Sequence, residues 1–230
     1  MPKCRYGSSL AATPLIFGGK KAENYRFAKA VPDIEFPDID YVDWVFDRES
    51  GTLFVSGNGD MVDYCQEHII DTPWYDQKDK IIHVFIEDGV TSVGGSSFFF
   101  CKELRSIEIP DSVTRIGSDV FNTCVNLKSI RIPYGVTELS GFIFFQCTSL
   151  TSIEIPDSVR SIGDHTFYSC SSLTSIEIPV SVNSIHETAF SFCENLTDIY
   201  YAGAKEQWNG IYDGYLSNCT IHCTDGDIVN

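Results

Sequence analysis

No run of eighteen apolar residues occurs in this 230-residue chain, so no segment reads as a membrane-spanning helix. Lysine and arginine are scarce, 16 against 32 acidic residues, and the formal net charge is −16. Phosphate backbones and anionic lipid surfaces are bound by clustered cations, so this balance argues against either as a partner. There is no CxxC pair. The one close spacing, Cys219-x3-Cys223 around His222, alternates along an expected strand instead of gathering about an ion. Gly57-Asn58-Gly59 lacks the strand-loop-helix setting of a phosphate cradle and reads as a turn. No metal and no cofactor is expected. What is present is a hydrophobic fraction of 43%, enough to build a core.

The charge is unevenly placed. Residues 1–32 are basic (net +5), residues 33–79 strongly acidic (net −11), residues 80–198 carry −7 and the remainder −3. The carboxylates of Asp33, Glu35, Asp38, Asp40 and Asp43 follow no calcium-loop spacing and read as a solvated linker. Residues 10–17 (LAATPLIF) follow Lys3 and Arg5 as the apolar part of a signal peptide would. Pro14 interrupts them and no small-x-small cleavage site follows, so no convincing signal peptide is expected in this chain. Residues 1–40, with Pro2, Pro14, Pro32 and Pro37, are expected to form an irregular arm.

Past the acidic stretch the chain becomes periodic. Cys101, Cys124, Cys147, Cys170 and Cys193 are spaced 23 residues apart. Phe98, Phe121, Phe144, Phe167 and Phe190 keep the same step, as do Leu104, Leu127, Leu150, Leu173 and Leu196. A fixed period held by several apolar columns at once is the signature of a solenoid. Residues 150–172 (LTSIEIPDSVRSIGDHTFYSCSS) show one unit clearly. Leu150, Ile153 and Ile155 alternate as a short strand with its isoleucines inward, and Pro156, having no N–H, ends the pairing. Gly163 allows a sharp bend, and Asp164–Cys170 is expected to form a short helix or 3-10 turn with Phe167 and Cys170 on one face. The strand column Val84, Ile107, Ile130, Ile153, Ile176 and Ile199 runs without insertion.

A lone coil buries too little apolar surface to offset the entropy of ordering its backbone, so the coils must stack and share a core. The open ends of such a stack need caps. Asp43–Asp47 and Thr52–Ser56, joined by Arg48-Glu49-Ser50-Gly51, form an expected hairpin at one end, and Trp208–Cys223 is placed to close the other. The chain therefore divides into an arm (1–40), a hairpin cap with aromatic linker (41–79), five 23-residue repeats (80–198) and a closing coil (199–230). The expected fold class is an α/β solenoid with one short strand and one short helix or 3-10 turn per coil, behind an N-terminal β-hairpin cap.

The LxxIxIP…V..IG…F..C template resembles the BspA-like leucine-rich repeat of surface proteins from host-associated bacteria and some protozoan parasites. The segment WVFDRESGTLFVSGNGDM is similar to the hairpin that often precedes such repeats, and DIYYAGAKEQWNGI with CTIHC to their final coil. The resemblance spans about residues 43–223. It implies a cell-surface or secreted adhesion protein that binds host matrix proteins or other bacteria. Several positions depart from it. The usual alanine before the repeat phenylalanine is Ser97, Val120, Ile143 and Thr166, returning at Ala189, and the bend glycine becomes Ser140 and His186.

Candidate chemistry is thin. The cysteine column could bring neighbouring Cα atoms within disulfide range, but parallel side chains point the same way, and buried thiols are the preferred reading. His165 and His186 occupy different slots of the repeat and imply no third catalytic group. Glu108, Glu154 and Glu177 share one strand position, a solvated row more than an acid/base pair. The better candidates are the outward strand residues Arg105, Glu108, Lys128, Arg131, Glu154, Glu177 and Tyr200, flanking a serine column on an extended sheet face. A second candidate is the aromatic group Phe98-Phe99-Phe100, Phe142, Phe145, Tyr168 and Phe192 on the opposite arc. The expected function is a non-catalytic protein-binding or adhesion module recognising a host or bacterial surface protein on the sheet face. The alternative is a structural spacer or assembly unit without its own ligand. An enzyme is the third reading, because a fold alone does not exclude one.

Overall fold

The computed structural model describes residues 42–229. The expected arm over residues 1–40, with its acidic linker residues and the apolar stretch at 10–17, lies outside them.

Three inter-coil ladders hold the chain together. The first begins with a hairpin. Val42–Asp47 runs antiparallel to Thr52–Gly57, pairing Trp44 with Val55 and Phe46 with Leu53. Gly51, at φ +69°, closes the turn and donates to the Asp47 carbonyl at 2.9 Å. From Thr52–Gly57 onward every coil adds a parallel strand: His83–Ile86, Ser106–Glu108, Ser129–Arg131, Ser152–Glu154, Ser175–Ile178, Asp198–Tyr201 and Thr220–Cys223. Register follows the isoleucine column, with Val84 beside Ile107, Ile130 beside Ile153 and Ile176 beside Ile199. Strand hydrogen bonding lapses twice, before Ser129–Arg131 and after Ser152–Glu154. Ile153, at the second lapse, is only partly buried, unlike Ile130 and Ile176, although the period placed all three equally inward.

A second strand per coil, beyond the one expected, comes next: Val90–Val93 after Glu87-Asp88-Gly89, then Arg115–Ile116, Glu138–Leu139, Ser161–Ile162 and Ser184–Ile185, each after the repeat proline. Two residues give almost no periodic signal. The bend glycine after this strand serves close approach instead of unusual torsion. A Cβ on Gly163 would meet the Gly141 amide nitrogen at 2.7 Å. Where the third coil has Ser140, pairing with the coil before it lapses, and the Ser140 hydroxyl donates to the Ile116 carbonyl instead. At His186 the pairing persists through its N–H to Ile162.

The third ladder is the segment expected as a short helix or 3-10 turn. It does contain bonds three residues apart, such as Asn122 N–H to Asp119 and Cys124 N–H to Phe121. Two left-handed residues, Asp119 and Thr123 in this coil, stop it from propagating as a helix. Their effect is to aim alternate N–H groups at the next coil: Asp119 donates to Gly141, Phe121 to Ile143 and Thr123 to Phe145. Backbone groups that an isolated turn would leave unpaired are satisfied by the following coil.

The dry interior is made of the predicted columns. Phe98, Phe121, Phe144, Phe167 and Phe190 stack with centroids 5.6–5.9 Å apart. Trp74 stacks on Phe98 at one end, and Tyr212 meets Phe190 edge-on at the other. Residues 97, 120, 143, 166 and 189 all face inward, and the two hydroxyls among them donate to carbonyls three residues back, Ser97 to Gly94 and Thr166 to Gly163.

The closing coil holds two elements not expected from sequence. A seven-residue α-helix, Lys205–Ile211, buries Trp208 against Tyr201. A final strand, Gly226–Val229, turns back antiparallel on Thr220–Cys223. Asp225 in the turn between them accepts from the Lys205 N–H at 2.9 Å and ties the hairpin to the helix start.

Candidate functional site

The outward face of the first ladder carries all seven charged or aromatic residues singled out from sequence. Arg105, Glu108, Lys128, Arg131, Glu154, Glu177 and Tyr200 are exposed. Strand register lines up Phe85 with Glu108, Arg131 with Glu154, Glu177 with Tyr200, and Tyr200 with His222. Beside this row Ser106, Ser129, Ser152 and Ser175 form an exposed polar floor. Side chains alternate across a strand, so the buried isoleucines between them fix where each outward group stands.

Arg131 does not pair with Glu154, its strand neighbour. Its guanidinium donates to Asp111 at 2.9 Å and lies 5.0 Å over the Tyr134 ring. Both members of this ion pair are solvated, so it orients Arg131 more than it stabilises the fold. Asp111 and Tyr134 occupy the same slot of neighbouring coils, each three residues after the strand position, and were not read as part of the face.

At the C-terminal end of the row, His222 sits between two carboxylates. Its Nε2 lies 2.8 Å from Asp198 and its Nδ1 3.1 Å from Asp227. The Tyr200 ring stacks on the imidazole at 4.7 Å. The Asp198 hydrogen bond, then that of Asp227, raises the His222 pKa, and the same contact with His222 lowers that of Asp198. His222, Tyr200 and Glu177 also border a shallow hollow of about 430 Å³. The two carboxylates engage opposite sides of the ring, so they bridge strands and do not converge on one point.

All eight cysteines among the described residues are free thiols. Each column thiol from Cys124 onward donates to the carbonyl of the preceding coil's phenylalanine: Cys124 to Phe98, Cys147 to Phe121, Cys170 to Phe144 and Cys193 to Phe167. Burial pushes Cys101 and Cys193 up to about 12 and also raises Cys124, Cys147 and Cys170 well above the ordinary thiol value. A thiol held protonated is no nucleophile at neutral pH. Cys193 alone in the column is partly exposed, because no sixth coil covers it.

The aromatic group on the opposite arc splits. Phe98 belongs to the core stack, and Phe99 pairs with Phe100 at 4.6 Å. Phe142 stacks on His165 and Phe145 on Tyr168, and Tyr168 touches Phe192 at 4.9 Å. His165, weighed from sequence only as a catalytic candidate, completes a ridge that ends in the 63% exposed Phe192.

Two short strands per turn, a cysteine–phenylalanine arc and a solvated ladder face define a repeat scaffold of parallel coils. The chain belongs to the BspA-type leucine-rich repeat family. The family profile, the BspA type Leucine rich repeat region, matches in six copies over residues 68–197 and 114–225. Among solved structures the chain is similar to a leucine-rich repeat protein from Eubacterium ventriosum, at 29% identity and a TM-score of 0.60 over 72% of this chain and 43% of that one. A leucine-rich repeat protein from Bacteroides ovatus matches at 27% identity and a TM-score of 0.53, over 81% of this chain and 45% of that one. The T. pallidum leucine-rich repeat protein, at 22% identity and a TM-score of 0.53 over 68% of this chain and 78% of that one, shares the fold. The chain thus spans less than half the length of the Eubacterium and Bacteroides proteins. Among curated proteins none matches. No described helix is long and apolar enough to cross a membrane.

Proposed function

We propose that this chain is a non-catalytic protein-binding module of a bacterial surface protein, holding its partner against the first-ladder face. The observation that carries the reading is the exposed row Glu108, Arg131, Glu154, Glu177 and Tyr200, one residue per coil and in register at Arg131–Glu154 and Glu177–Tyr200, beside exposed serines. Such a row is fixed by the buried isoleucines beneath it, so little ordering entropy is lost when a partner docks. One oriented cation among carboxylates supplies a charge pattern that sets register and discriminates between partners. The non-catalytic part of the reading rests on the column thiols, held protonated by burial, and on histidines engaged in structural contacts: His83 with Ser106, His165 with Phe142, and His222 with its two aspartates.

The test immobilises the whole chain and measures affinities for purified host matrix proteins and for surface proteins of other bacteria. Arg131→Glu combined with Glu154→Lys should weaken a captured partner about tenfold or more at unchanged melting temperature. Equal affinity for the double variant would remove the ladder face as the site. A spacer without a ligand gives a different result: no partner in the panel, and self-association that rises with protein concentration.

A further inference from the structure

The open end of the third ladder is the unexplained part of this molecule. In the interior coils its donors are satisfied by the next coil: Phe167 N–H donates to Ala189 and Ser169 N–H to Ser191. One coil later the equivalent groups are the N–H of Phe190 and of Phe192. Neither has an acceptor among the described residues, because the chain after the strand Asp198–Tyr201 leaves the repeat and crosses as helix and loop. A groove of about 620 Å³ lies there.

Its lining is specific. The floor is apolar, with Phe190, Leu196 and Leu216, and one exposed aromatic stands on each wall, Phe192 and the 86% exposed Tyr215. The charged residues of the lining are Glu187, Glu194 and Asp213, and among the described residues no lysine or arginine lines it. Phe192 is also out of place by local preference. It sits at φ 60°, at a step where the interior coils have Thr123, Gln146 and Ser169 and the first coil has the less exposed Phe100. A bulky side chain is disfavoured in that backbone region, and this one is not repaid by burial.

We propose that this groove is a docking slot for a peptide segment carrying an aromatic or large aliphatic anchor between basic residues. The segment lies along the arc as a surrogate coil. Its carbonyl oxygens accept from Phe190 and Phe192 as Ala189 and Ser191 accept from the coil before, a form of main-chain augmentation. Its anchor fills the space between Phe192 and Tyr215, and its cations face Glu187, Glu194 and Asp213. A second copy of this chain is the weaker occupant, since its net charge of −16 opposes approach to an acidic rim.

The slot is separate from the ladder face, so the two readings fail independently. The experiment uses the full chain and the fluorescein-labelled peptide Lys-Lys-Ala-Phe-Ala-Lys-Lys, followed by anisotropy and by amide hydrogen exchange. Saturable binding with added protection at the Phe190 and Phe192 amides is expected. Replacing the peptide phenylalanine by serine, or its lysines by glutamates, should weaken binding about tenfold or more. Phe192→Asn keeps a residue that tolerates positive φ, so its melting temperature should hold or rise while affinity drops by a similar factor. Glu194→Lys with Asp213→Lys should lose binding, and Arg131→Glu with Glu154→Lys should not. The proposal is overturned if Phe192→Asn binds normally, if it melts lower, if the glutamate peptide binds as well, or if the only association removed by Phe192→Asn is dimerisation.

Discussion

The thiol of Cys147 donates to the carbonyl oxygen of Phe121 in the preceding coil at 3.1 Å, and that carbonyl also accepts from the Cys124 N–H. The cysteine column is therefore a ladder of inter-coil hydrogen bonds as well as a packing column. Alanine at 147 removes both the donor and the sulfur's volume. Cys147→Ala should lower unfolding free energy by about 1–3 kcal/mol in urea denaturation. Cys147→Val, which restores volume without the donor, should recover part of it. Full recovery by valine would show that only packing matters.

The same burial predicts chemical silence. Thiol titration of the native protein at pH 8 should detect Cys65 and Cys223, both partly exposed, well before any column cysteine. Cys101, Cys124, Cys147 and Cys170 should appear only on unfolding. Rapid labelling of Cys147 in the native state would contradict a closed interior.

Position within the phenylalanine stack should set the penalty for interrupting it. Phe144 has a stacked ring on each side, at 5.6 Å from both Phe121 and Phe167. Phe190 has one stacked neighbour and an edge-on Tyr212. Phe144→Ala should destabilise by about 3–5 kcal/mol, and Phe190→Ala by clearly less. Equal losses would mean that the coils do not behave as a chain of neighbours.

Leu150 and Ile153 separate full burial from its sequence-based expectation. Both belong to apolar columns, yet Leu150 is fully buried while Ile153 borders the lapse in strand pairing. Leu150→Asp should abolish cooperative folding, because it places an unpaired charge in the core. Ile153→Asp should leave a folded protein with a lower melting temperature. The reverse order would place the lapse elsewhere.

Closure at the C-terminal end should depend on pH through His222. Its folded pKa is raised above the ordinary 6.5 by Asp198 and Asp227. The stabilisation is thus fully present below about pH 6.5 and lost as pH rises through the folded value. The Asp198 pKa is lowered from 3.8, so its contribution disappears as pH falls through that depressed value. Exchange at the Thr220–Cys223 and Gly226–Val229 amides, corrected for intrinsic rates, should be slowest between these limits. His222→Ala should flatten the upper limb, and a variant with the parental profile would assign it to another group.

How much of this could be read from residues depends on how many positions repeat. The column Val84, Ile107, Ile130, Ile153, Ile176 and Ile199 gave register because each side chain must enter the same interior. The outward groups followed from alternation. Ser161–Ile162 was hidden as a strand because two residues cannot show alternation, although Ile162 keeps the 23-residue step with Ile116, Leu139 and Ile185. The left-handed sites were hidden because Phe142 and Phe192 contradict the preference that would have marked them. The Lys205–Ile211 helix occurs once, with Gly210 inside it, and no column announces it. His222 meets Asp198 and Asp227 only because strand and hairpin place them together, at separations that match no repeat step.

Both outermost strands of the first ladder, Val42–Asp47 and Gly226–Val229, run against the direction of every strand between them. A reversed strand is a poor template for another parallel turn, so within the described residues the parallel run of the first ladder stops at these two strands. Lengthening is left to the interior, where duplicating 23 residues would leave both ends unaltered and advance one against the other by about 4.8 Å. The molecule is in that sense a ruler graduated in whole coils, with its reach set by gene duplication.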